Sequence, residues 1–102
     1  MDGEAIEREL IEQLKEKGAI RAHYMDLVND YMSLWDIKNQ LIMDIKMRGV
    51  YVEWQNSETQ YGSKKNDSVG ELLKVNGQML KILAELGIRG ADIKAAEEEF
   101  SL

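Results

Sequence analysis

A chain of 102 residues, 44 % apolar and 31 % charged, has the composition of one globular domain and leaves little room for a second. The absence of cysteine excludes disulfides, thiolate nucleophiles and zinc–thiolate sites, and a net charge of −6 argues against a protein coated in basic charge for nucleic acid. Proline is absent as well, so nothing locks φ or removes a backbone donor, and helices can run long.

The opening stretch, 1–17, is charged and amphipathic and lacks the apolar core of a signal peptide. No apolar run reaches membrane-spanning length, so a soluble protein is expected. A first helix is predicted from Glu4 to Lys17, with Ile6, Leu10 and Leu14 on one face and Gly18 as its stop. The second helix, Ile20 to Arg48, ends at Gly49. At about 1.5 Å per residue it is roughly 43 Å long, about 15 Å more than the third helix can cover. The first helix is the nearest candidate for that remainder.

The second helix is also apolar over a wide arc. Tyr24, Leu27, Val28, Tyr31, Leu34, Trp35, Leu41, Ile42 and Ile45 form its main stripe. Met25, Met32 and Met43 widen the arc to roughly 200°, where one packed face needs about 100°. Either the first helix covers this methionine flank, or a second subunit does, since flexible Met side chains suit surfaces that repack.

Val50, Val52 and Trp54 then alternate with Tyr51, Glu53 and Gln55, which predicts a strand. Turn residues at 56–58 and a return over 59–65 make it a hairpin. Ser68 with Glu71 has the spacing of a capping box and opens a third helix ending at Leu86, where Gly87 and Ile88 read as a left-handed cap. Its core stripe is read as Val69, Leu72, Leu73, Met79, Leu80, Leu83 and Leu86. Gly70, Gly77 and Ala84 recur every seven residues on another side. A helical glycine costs about 1 kcal/mol relative to alanine, so the aligned triple is either simply exposed or lets another helix come close. Lys38 and Asn76 interrupt the two apolar stripes and fall at similar heights in an antiparallel hairpin. They form a polar layer that fixes register, or Lys38 snorkels to solvent. A short acidic helix or tail closes the chain over 91–100.

Catalytic constellations are missing. His23 is the single histidine and reads as structural. Asp26 with Asp30, and Glu12 with Glu16, lie one turn apart without a Glu-x-x-His partner, and Gly62-Ser63-Lys64-Lys65 lacks the first glycine of a phosphate loop. No enzyme, metal or cofactor is expected. The segment 46–66 alone is net positive, with four basic and two acidic residues. Its Lys46, Arg48, Lys64 and Lys65 accompany Tyr51, Trp54 and Tyr61, a mixture that contacts phosphates and stacks on bases. An ordinary solvated hairpin is the alternative.

The run Ile20-Arg21-Ala22-His23-Tyr24-Met25-Asp26-Leu27-Val28, continuing through Tyr31, Leu34-Trp35 and Ile45 to Arg48-Gly49-Val50, resembles the small terminase subunits of tailed phages and prophages. So does Lys64-Lys65-Asn66-Asp67-Ser68-Val69 with Leu72, Leu73, Asn76, Met79, Leu83 and Leu86-Gly87-Ile88. The resemblance covers about 20–88 and rests on a helix–hairpin–helix pattern. It implies a homo-oligomeric ring in the cytoplasm of a bacterial host, which binds double-stranded phage DNA and hands it to the large terminase subunit. The acidic 91–100 segment departs from the basic or proline-containing tails common in such subunits.

The expectation is therefore a mainly α single domain: an N-terminal helix (1–18), a helix–hairpin–helix core (20–88) and an acidic tail (89–102). Its expected work is assembly and DNA packaging without catalysis. DNA contacts are expected at Lys46, Arg48, Lys64 and Lys65, and subunit contacts at Met25, Met32, Met43, Gly70, Gly77 and Ala84. A helical adaptor or transcription-associated regulator that binds only protein is the alternative.

Overall fold

The computed structural model describes residues 2–88 and is mainly α, as expected. Its elements are α1 (Gly3–Glu16), α2 (Ala22–Arg48), β1 (Tyr51–Gln55), β2 (Tyr61–Lys65) and α3 (Asp67–Glu85). The helix or tail expected over 91–100 lies outside the described residues.

Glycine sets the helix ends. Gly18, Gly49 and Gly87 have φ of 67°, 85° and 75°, a region that a Cβ disfavours. After α1 the Ala19 N–H reaches back to the Leu14 carbonyl at 2.8 Å, and after α3 the Ile88 N–H does the same to Leu83 at 2.8 Å. Both ends are Schellman closures, each satisfying a carbonyl that the helix itself leaves open. Lys17 Nζ donates to the Gly87 carbonyl, so the α1 end adds positive charge at the negative end of α3.

Two sets of contacts show that α2 and α3 are antiparallel. Asp44, near the end of α2, bonds Ser68 in the first turn of α3, while Val28 joins Leu86 and Ile88 at the other end. Here the core forms, from Leu10 and Leu14 of α1, Val28 of α2, and Leu86 with Ile88. Since α1 turns back over α2, a Cβ on Gly3 would stand 3.0 Å from the Trp35 ring and 3.4 Å from Met32 Cε. The first helix thus packs on the first half of α2, beside the end of α3 that meets Val28.

Three local readings are corrected. The cap of α3 is Asn66, whose side chain accepts from the Ser68 N–H, and not Ser68, whose hydroxyl is drawn away to Asp44. Leu73 and Leu80 are not core: they are 68 % and 63 % exposed. The inward face uses half-buried Val75 and Ile82 beside Met79 and Leu86 instead. Asn76 is exposed while Lys38 is half-buried, so the two do not make a buried polar layer within one chain.

The radius of gyration is 18.7 Å, against about 13 Å for a compact domain of 100 residues. Among the described residues six apolar side chains are buried and ten large ones are exposed. An elongated chain with this balance leaves much apolar surface in water.

Candidate nucleic-acid interface

The net-positive segment folds as an arm. β1 and β2 pair antiparallel from Tyr51↔Lys65 through Glu53↔Ser63 to Gln55↔Tyr61, and the loop closes with Asn56 N–H to the Gln60 carbonyl at 2.8 Å. Alternation along the strands sorts the side chains by face. Tyr51, Lys65, Glu53, Ser63, Gln55 and Tyr61 share one face, on which both tyrosines stand exposed. Val52, Lys64, Trp54 and Gly62 share the other. There the Trp54 indole lies across Gly62, where an added Cβ would meet Nε1 at 3.0 Å. Glycine is what allows that close cover.

The root of the arm is a polar clamp. The Asp44 carboxylate accepts a bidentate pair from Arg48, Nε at 2.7 Å and Nη2 at 2.9 Å. It also accepts from Ser68 Oγ at 2.7 Å and Asn66 Nδ2 at 3.1 Å. Asn66 is 1 % exposed and satisfies its whole side chain here. Its amide donates to the Gly49 carbonyl at 3.0 Å as well, and its oxygen accepts from the Ser68 N–H and from Arg48. Asn66 N–H to the Val50 carbonyl at 2.6 Å closes the strand ends. The clamp joins the last turn of α2, the cap of α3 and both feet of the ribbon, fixing the arm's direction. The donors hold the Asp44 carboxyl far below the usual carboxylate range, with Arg48 the largest cause, then Ser68 and Asn66. In return Asp44 pushes the Arg48 pKa up.

The four basic residues therefore differ in setting. Arg48 is committed to Asp44 and Asn66. Lys64 and Lys65 leave opposite faces of the ribbon. Lys64 Nζ stands 3.8 Å from the exposed Asp67 carboxylate, a pairing worth little in water. Lys46 is exposed on α2. Arm and lysines were readable in the sequence; the clamp was not, because Asp44 and Asn66 meet only in the folded chain.

The candidate interface residues also divide. Met25 and Met32 pack half-buried against the core, whereas Met43 is 57 % exposed. A Cβ on Gly70 or Gly77 would meet nothing within 4 Å, and Ala84 is exposed. His23 is exposed and stacks on Tyr24 with ring centroids 4.3 Å apart. Among the described residues no group of His, Asp and Glu could hold a metal ion, and no helix is long and apolar enough to cross a membrane.

Among the described residues, three helices carry a clamped β-ribbon arm and a set of exposed large apolar side chains. The family model for the small subunit of phage terminase matches residues 5–99, and the chain belongs to that family. Membership supports a role in phage DNA packaging. Neither the curated proteins nor the solved structures contain a match.

Proposed function

We propose that this chain is a non-enzymatic packaging subunit, a homo-oligomer in the bacterial cytoplasm that grips double-stranded phage DNA and recruits the large terminase subunit. Family membership supports the process, and the clamped arm is the observation that carries the DNA reading. A two-stranded ribbon fits the major groove, and this one exposes Tyr51, Tyr61 and Lys65 together. Lys46, Lys64 and Lys65 contact phosphates, while Arg48 holds the arm in place. The grip of one subunit is weak because the chain is acidic, and repetition around an assembly multiplies it. The acidic segment 89–102, with four acidic and two basic residues, is the docking element for the large subunit.

Reversing charge at Lys64 and Lys65 is expected to weaken DNA retention on all sequences alike. It should also flatten the salt dependence by about two phosphate contacts, since such contacts carry no sequence information. Binding by fluorescence anisotropy across a salt series checks this. An unchanged affinity and slope would mean that the arm is not the DNA surface and would favour the protein-only adaptor, for which the placement of Lys64 and Lys65 on opposite faces already speaks.

A further inference from the structure

The register of the arm decides which of its side chains crowd together. Asn66 N–H meets the Val50 carbonyl at one end of the ribbon, and Asn56 N–H meets the Gln60 carbonyl at the other. Hydrogen-bonded and non-hydrogen-bonded pairs alternate along an antiparallel ladder, so between these ends Val52↔Lys64 and Trp54↔Gly62 exchange the ladder bonds. Tyr51↔Lys65, Glu53↔Ser63 and Gln55↔Tyr61 are the non-hydrogen-bonded pairs, whose Cα atoms stand only about 4.5 Å apart. Their side chains form one narrow strip, and all six residues are exposed. Their N–H and C=O groups point outward along both edges of the ribbon.

The strip carries one lysine and one glutamate, so it has no net charge, unlike a surface that only grips phosphate. Among the described residues the Glu53 carboxylate and the Gln55 amide have no hydrogen-bond or ion-pair partner, which leaves their polar atoms open to a ligand. Successive residues on one face of a strand lie about 6.7 Å apart, close to two base-pair steps of about 3.4 Å. The back of the ribbon is closed by the Trp54 indole over Gly62, and the clamp at its root fixes its direction.

We propose that Glu53 and Gln55 read base edges in the major groove of duplex DNA, while Tyr51, Tyr61 and Lys65 hold the flanking backbone. This rests on the DNA reading of the arm and adds sequence recognition to it. A two-stranded ribbon enters that groove, which is about 12 Å wide. The Gln55 amide, a donor beside an acceptor, matches adenine N6 and N7, and the Glu53 carboxylate accepts from cytosine N4. A carboxylate repels phosphate, so its place at the centre of the strip suits a base edge. Lys65 and the outward N–H groups serve the phosphates, which position the protein without specifying sequence.

The test selects bound duplexes from a random-sequence pool at low salt, using the full chain, and sequences them. Wild type is expected to enrich a short motif containing adenine and cytosine. Gln55→Ala should cut the preference at one adenine position about five- to hundredfold, the worth of one bidentate base contact, and Glu53→Ala should flatten a cytosine position. Gln55→Arg should move the preferred base from adenine to guanine and leave the rest of the motif in place. Lys65→Ala should weaken all sequences alike and keep the motif. These sites are exposed, and circular dichroism checks that each variant folds. Binding without an enriched motif, or a motif that the Gln55 and Glu53 variants leave unchanged, would overturn the proposal and leave an arm that grips phosphate alone. A wild-type protein that retains no duplex would overturn the DNA reading underneath and assign the strip to a protein partner.

Discussion

Asn66→Ala is expected to destabilise the fold by about 3 kcal/mol, because the change removes a helix cap and strips partners from buried polar groups. Asn66 donates to Asp44 and to the Gly49 carbonyl and accepts from Ser68 N–H and Arg48. Alanine offers none of these, and at 1 % exposure water does not replace them. Urea unfolding followed by circular dichroism measures the loss. A change below about 1 kcal/mol, the scale of a cap alone, would mean that the clamp does not hold the arm's root. Acid tests the same cluster through Asp44. Its carboxyl is depressed in the folded state by Arg48, Ser68 and Asn66. The stability it contributes is therefore complete above the ordinary aspartate range, near pH 4, and is lost as the pH falls below it towards the folded value. Asp44→Asn should flatten that acid limb of the stability curve and leave its slope at neutral pH unchanged.

Gly77→Leu is expected to shift the protein to smaller species while its helix content stays. Among the described residues a Cβ on Gly77 would meet nothing within 4 Å, so a larger side chain is expected to be tolerated in an isolated copy. Between copies it would hold the α3 face away from its neighbour and forfeit the close packing that a small residue permits. Light scattering on mutant and wild type at equal concentration reads the effect. A mutant with wild-type mass would place the contact elsewhere.

The parts of the fold legible in the sequence are those governed by local chemistry. Gly18, Gly49 and Gly87 mark the helix ends because left-handed backbone favours glycine. The alternation from Val50 to Gln55 marks the ribbon because strand side chains alternate faces. What long-range contacts decide was hidden. Ser68 and Glu71 have capping-box spacing, yet Asp44, 24 residues earlier, captures the serine hydroxyl and leaves the cap to Asn66. Leu73 and Leu80 were absorbed into one wide stripe with Leu72 and Leu83, because periodicity does not tell one broad face from two adjacent ones. The ribbon arm is visible as a charge and aromatic pattern, but its division into faces requires the register.

The functional account stands on self-association, since a lone copy would leave Leu73, Leu80, Met43 and Met47 in water and present only one weakly charged arm. Native mass spectrometry of the wild-type protein, with light scattering over a concentration series, tests it most directly. The account predicts a discrete closed oligomer of several copies of the 11.7 kDa chain, stable to dilution. A single 11.7 kDa species persisting at high concentration would contradict it.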